Sequence, residues 1–276
     1  MRPALLFALL LCSATTGTTQ NAALPHLPRN KGRLYFYWGW NRAAYTRSDL
    51  HFSGPDYDFT LDDVVAKDRQ THFDTHVYFN FKKATIPQYN FRLGYFLTEH
   101  LNLSFGIDHM KYVMQSNQRV KINGSIHHGD SGYNGDYQDD NILLRSDFLQ
   151  FEHTDGLNYL NLELRHQHTL GELGHVRLNL SEGLGAGILL PRTNTTLLDY
   201  RRYDEFHLAG FGLGLMGGLN LEFFRHFFVQ AELKTGYINM PDIRTTEFTT
   251  DKATQQFMYI QGNLVFGAIF NLNHYR

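Results

Sequence analysis

Along much of the chain every second residue is apolar. Phe211, Leu213, Leu215, Leu219, Leu221 and Phe223 alternate with Gly210, Gly212, Gly214, Gly218, Asn220 and Glu222. A period of two belongs to a β-strand with one apolar face, because successive side chains point to opposite sides. Phe91, Leu93, Tyr95 and Leu97 repeat the pattern, and after Thr98-Glu99-His100 it resumes at Leu101, Leu103, Phe105 and Ile107, which predicts a hairpin. A second hairpin joins Leu160, Leu162 and Leu164 to Val176, Leu178, Leu180, Leu184, Ala186 and Ile188 through a turn near 171–174. A third joins the strand at 207–224 to Phe227, Val229, Ala231, Leu233 and Tyr237 through Arg225-His226. Single strands flank these: Leu34, Phe36, Trp38 and Trp40 at one end, Ile260, Leu264, Phe266, Ala268 and Phe270 at the other.

The segments between, at roughly 46–88, 114–147, 191–206 and 239–255, read as long polar loops, so short and long connections alternate. The expectation is all-β: an antiparallel up-and-down transmembrane β-barrel of about eight strands, with short periplasmic turns and long extracellular loops. A soluble β-sandwich or lipocalin-like barrel shares the alternation and differs in which face points inward. The face opposite the apolar stripe carries Arg92, Asp108, Glu163, Arg165, Arg177, Glu222, Glu232 and Lys234, four charges of each sign. A narrow membrane barrel buries these as compensated pairs, since eight strands leave an interior just wide enough to be filled by side chains. Aromatic residues near strand ends (Tyr35, Tyr37, Trp38, Trp40; Phe223, Phe224, Phe227, Phe228; Phe257, Tyr259) read as interfacial girdles. Glu182 shares parity with Leu180 and Leu184, which predicts a bulge at 181–183 or a position above the bilayer.

The first residues add a compartment. A basic start, the apolar run Ala4 to Cys12 and a small-residue zone from Ser13 describe a secretory signal peptide, so 1–20 is expected to be cleaved and 21–276 to form one barrel domain in the cell outer membrane. Cys12, the chain's one cysteine, falls inside that peptide. With 22 Phe, 16 Tyr and 2 Trp the 276-residue chain is too apolar for disorder, and a net charge of -2 gives no basic excess for nucleic acid. Its mean hydropathy is nonetheless -0.36, because polar strand interiors and loops offset the apolar stripes.

Several stretches, TIPQYNFR at 85–92, GIDHMKY at 106–112, FEHTDGLNY at 151–159, PRTNTTL at 191–197 and MPDIRT at 240–245, resemble an uncharacterised family of Gram-negative outer-membrane barrels from the Bacteroidota. The resemblance implies an outer-membrane barrel without assigned catalytic residues, contacts with outer-membrane lipid and lipopolysaccharide, and insertion by the barrel-assembly machinery. Bacterial barrels usually end in an aromatic residue; here the end is Asn273-His274-Tyr275-Arg276, so Tyr275 or Phe270 is expected to carry that signal.

Outer-membrane barrels include lipid A deacylases, whose nucleophilic Ser needs a His base and an acid that orients it. Asp108, His153 and Asp155 are the rim residues to weigh, expected to point inward while His109 points outward. Lys111, not a serine, follows His109 at the second position, and a hydrogen-bonded rim network is the favoured reading. His127-His128 with Asp130 is the best local metal candidate, and the Gly- and Asp-rich run 129–141 could hold calcium. It lacks the ordered calcium-loop spacing, and no metal or cofactor is assigned. The first loop carries Phe59, Leu61, Val64 and Val65 among acids at 58–69 and is expected to bind a partner or to fold onto the barrel mouth. The favoured function is a non-enzymatic structural or loop-mediated binding role at the surface, with no surface ligand identified. The alternatives are a deacylase-like lipid A-modifying enzyme, and a passage for small hydrophobic molecules leaving sideways past Gly183, Gly185 and Gly187.

Overall fold

The computed structural model describes residues 30–272 apart from 79, 84 and 85; the expected signal peptide and Tyr275 lie outside the described residues. The chain runs β1 (Arg33–Tyr45), β2 (Ser48–Gly54), β3 (Tyr57–Val64), β4 (Ala66–Lys67), a single helical turn α1 (Thr75–Tyr78), β5 (Tyr89–Phe96), β6 (Leu101–Met114), β7 (Arg119–Ile126), β8 (Gly135–Leu143), β9 (Leu149–Leu173), β10 (Val176–Leu189), β11 (Arg192–Leu197), β12 (Tyr203–Phe206), β13 (Gly210–Phe223), β14 (Phe227–Arg244) and β15 (Lys252–Asn271). Eight strands close a ring in the order β1, β5, β6, β9, β10, β13, β14, β15, with β15 back on β1. Every pairing is antiparallel. Following partners from Leu34 through Tyr95, Leu103, Leu164, Leu184, Leu215, Thr235 and Ile260 returns to β1 at Ala44, ten residues further on. That stagger is what tilts the strands and sets the barrel's width.

The ring is apolar outside and polar inside. Leu93, Leu103, Phe105, Leu162, Leu184, Leu213, Leu215, Leu233, Ile260 and Phe266 lie exposed on the outer wall, while Asn90, Arg92, Asp108, Asn161, Gln230 and Gln261 are buried within. A closed ring satisfies every backbone group of its strands, and an outer face of this kind is stable only against lipid. The chain is thus a transmembrane barrel of the outer-membrane type. Five of the aromatics expected in girdles are instead inside. Tyr35, Tyr37 and Phe228 pack together in the periplasmic half, and Phe257 and Tyr259 sit near the other end. Strand parity decides this: 35 and 37 share a face with Asn41, whereas Trp38 and Trp40 lie outside, in contact with each other and, through Trp40, with Phe266.

The largest departure from expectation concerns the loops. Seven of the strands, β2, β3, β4, β7, β8, β11 and β12, lie in segments read as polar loops, and β9, β14 and β15 run well past the ring. The upper end of β15 pairs with β2, which continues through β3 and β7 to β8, while the upper end of β9 pairs with β11. Between these layers Leu50, Phe52, Phe59, Leu61, Tyr112, Ile122, Phe148, Phe151, Leu197, Met240, Ile243 and Phe257 form one hydrophobic core above the barrel. Phe52 stacks on Phe59 at 5.3 Å and meets Phe151 edge-on at 5.8 Å. Each fully buried side chain of this size contributes about 1.5–3 kcal/mol, so this is a folded cap. The apolar residues of the first loop supply its centre.

Irregularities fall where strands leave the ring. Between the pairs Met110↔Leu157 and Tyr112↔His153, β6 advances two residues and β9 four, which re-aims the side chains at 154–156; Gly156 takes φ 133° there. In β14 the shift between Met240 and Ile243 contains Pro241, which has no N–H for a ladder. Glu182 points outward as parity predicts, but the β9–β10 irregularity is at Leu178/Asn179, not at 181–183.

Candidate functional site

The eight predicted interior charges are all buried, and they form two groups. At mid-barrel three cations meet three anions. Glu163 pairs with Arg92 at 2.8 Å, Arg165 at 2.6 Å and Lys234 at 2.8 Å. Lys234 also pairs with Asp108 at 2.9 Å, and Arg165 with Glu232 at 2.7 Å. Neutral groups complete the shell. The Tyr37 hydroxyl accepts from Arg92 Nε at 3.0 Å and Arg165 Nη2 at 2.9 Å and donates to Glu232 at 3.1 Å. Asn161 accepts from Arg92 and donates to Asp108. The second group lies at the periplasmic end, where Glu222 faces Arg177 at 3.7 Å and Arg33 at 4.0 Å. Sequence reading missed Arg33 and Tyr37; the inward parity of 33, 35 and 37, opposite the two tryptophans, was the available signal.

The two groups are separated by packed matter. Asn102, Gln167, Asn220 and Gln230 mix with Tyr35, Phe96, Phe228 and Ile269 around a cavity of about 20 Å³, room for about one water. Above Asp108, Tyr159 and Tyr259 meet edge-on at 6.5 Å beneath the apolar cap. From the periplasmic end to the surface the lumen is a group of two arginines about Glu222, an amide–aromatic layer, a neutral six-charge cluster and a hydrophobic lid.

The rim candidates are dispersed. Asp108 is inside the lumen, held by Lys234 and Asn161. His153 is wholly buried in the cap, with Nδ1 against Thr193 Oγ1 at 2.9 Å, and burial pushes its pKa down to about 3, so its ring is neutral. Asp155, expected inward, is turned out by the β9 irregularity and meets Arg192 at 3.4 Å. His109 is mostly buried on its own account, stacked on Tyr89 at 5.0 Å and bonded to Asn158 at 2.8 Å. Ser48, Tyr112 and Gln255 form a buried hydrogen-bonded trio near His153, with Gln255 donating to both hydroxyls.

The loop histidines separate as well. His127 reaches Asp136 at 3.3 Å, whereas His128 stacks on Tyr200 at 4.4 Å and bridges Asp56 and Asp199, clipping three extracellular connections together. The run considered for calcium becomes a hairpin turn leading into β8. Among the described residues the cluster of three ligand-type side chains that the fold does assemble is His166, His168 and Glu182 on the outer wall. Gly183, Gly185 and Gly187 face inward, and a Cβ on Gly185 would meet Glu163 Cγ at 2.5 Å, so the row is filled by the charge cluster.

No family model matches the chain, and no curated protein matches it. Among solved structures it is similar to the outer membrane protein OprG of Pseudomonas aeruginosa (TM-score 0.42, 10% identity, 88% of this chain and 98% of that chain). It is also similar to Neisserial surface protein A (TM-score 0.31, 12% identity, 88% and 100%) and to Ail, the attachment invasion locus protein of Yersinia pestis (TM-score 0.32, 9% identity, 87% and 99%).

Proposed function

We propose that this protein is a non-conducting, non-enzymatic surface barrel of the Gram-negative cell envelope that acts through its folded extracellular cap, binding a partner or stabilising the envelope. The observation that carries the reading is the filled lumen: three cations and three anions paired at mid-barrel beneath a hydrophobic lid. A conducting pore needs continuous water, and a rim enzyme needs an accessible base. Lumen packing opposes the first, and burial of His153 the second. A passage for hydrophobic molecules needs a gap in the wall, and the glycine row offered for it is occupied from inside. The resemblance to Bacteroidota barrels, lipopolysaccharide around the outer leaflet and assembly-machine insertion belong to the same proposal. Purified protein in planar bilayers should give no steady conductance; stable nanosiemens channels would overturn the reading.

A further inference from the structure

On the outer wall, three polar side chains stand where lipid-facing residues are expected. His166 and His168 are two apart on β9 and so share a face, and Glu182 on β10 is the direct cross-strand partner of His166. Leu164 and Leu184 continue the exposed apolar surface immediately above. The group lies in the periplasmic half of the wall, beside the β5–β6 turn, since Leu101 pairs with His166 and His100 accepts the Gln167 N–H.

The three converge. Glu182 Oε1 lies 3.5 Å from His166 Nδ1 and 3.4 Å from His168 Nε2; the two rings are 4.1 Å apart, and one ligand atom from each residue lies within 4.8 Å of the others. Four ligands about 2.05 Å from a tetrahedral zinc ion stand about 3.3 Å from one another, so two of the three edges are close to ligand spacing. His100 flanks the group, its ring 5.8 Å from His166 and 6.4 Å from His168. Its Nδ1 lies 3.1 Å from the Gln167 carbonyl, which fixes the proton there and leaves the Nε2 lone pair free, the orientation that metal-bound imidazoles take from a backbone acceptor. Charge points the same way. A carboxylate among leucines is costly without a counter-charge, and a divalent cation held by the three side chains supplies one.

We propose that His166, His168 and Glu182 form a binding site for a zinc-class divalent cation on the periplasmic side of the barrel wall, with His100 placed to complete the coordination. Imidazole and carboxylate donors suit zinc and its late first-row neighbours better than calcium or magnesium. The site ties together β9, β10 and the β5–β6 turn.

The test uses untagged, folded full-length barrel in detergent, stripped with chelator and titrated with zinc against a chromogenic competitor. Heat-modified gel migration confirms folding of each variant. One zinc per chain is expected. His166→Ala and His168→Ala should each weaken binding by at least about tenfold, Glu182→Gln and His100→Ala by less, and His175→Ala not at all. Cobalt bound to the unaltered protein should show the intense visible bands of a four-coordinate site, a readout that requires no variant. Zinc binding that is undiminished in both histidine variants, a stoichiometry near zero, or the weak spectrum of hydrated cobalt would each overturn the assignment.

Discussion

Glu163 is the anion that three buried cations share, so its charge should matter more than its shape. Glu163→Gln keeps the volume and one acceptor but leaves Arg92, Arg165 and Lys234 facing Asp108 and Glu232, one net positive charge in a sealed lumen. Removing one partner from a buried pair costs about 3–5 kcal/mol, because the remaining charge stays desolvated. Lys234→Met alone leaves one anion over and should cost about as much. The double variant restores two cations against two anions, and its cost should fall short of the sum of the singles by at least about 2 kcal/mol. The assay is denaturant unfolding in detergent micelles, followed by the fluorescence of Trp38 and Trp40, which lie on the outer wall and touch none of the changed groups. If Glu163→Gln stays within about 0.5 kcal/mol of the parent and the two changes add, the lumen charges are screened by water. The dry plug, and with it the argument against conduction, would then fail.

Two further outcomes concern the cap. Phe59→Ala should cost about 3–5 kcal/mol of cap stability, since the ring is wedged between Phe52 and Phe148. Hydrogen exchange should quicken in β2, β3 and β7 while the ring strands stay protected; uniform loss across the barrel would show that cap and ring are one cooperative unit. His153 makes the cap acid-sensitive. Burial holds its folded pKa near 3, an effect partly opposed by Gln255, while the unfolded ring takes up a proton near 6.5, so stability is full above 6.5 and falls as pH drops from there toward 3. The loss should reach about 2 kcal/mol at pH 5, read as faster exchange in β11 and the upper part of β9 after correction for intrinsic rates. His153→Gln should abolish the slope; the same slope in that variant would assign it to other groups.

How much of this the sequence carried depends on scale. The eight ring strands, their order and the inward charges were legible because a two-residue period needs no knowledge of partners: Leu93 and Arg92 declare opposite faces by themselves. The cap was not. Leu50 and Phe52, Tyr57 and Phe59, and Val120 and Ile122 alternate as strictly as the ring strands, but in runs of a few residues between acids and glycines. Such short strands gain their core only from pairing with strands distant in the chain, β3 with β7 and β9 with β11, which local periodicity cannot see. The dispersal of the rim candidates has the same origin. Inward parity placed Asp155 beside Asp108, and the two extra residues in β9 beside Gly156 turned it out.

The glycines show what filling the lumen requires. Read in sequence, Gly183, Gly185 and Gly187 describe a thin place in the barrel. In space they are the volume complement of the charges: a Cβ at Gly183 would meet Arg165 Cγ at 2.9 Å, one at Gly185 would meet Glu163 Cγ at 2.5 Å, and one at Gly106 would meet the Arg92 guanidinium at 2.6 Å. An eight-stranded ring has room for long arginine and glutamate side chains only where the facing strand contributes none. Glycines accordingly stand beside the long side chains: Gly106 on β6 is paired across with Arg92 on β5 and Asn161 on β9, and Gly185 on β10 with Glu163 on β9. Such packing also explains how six charges can lie buried at mid-membrane. Each desolvated group is in contact with an opposite charge or a hydrogen-bonding neighbour, and the glycines remove the volume that would otherwise force the pairs apart.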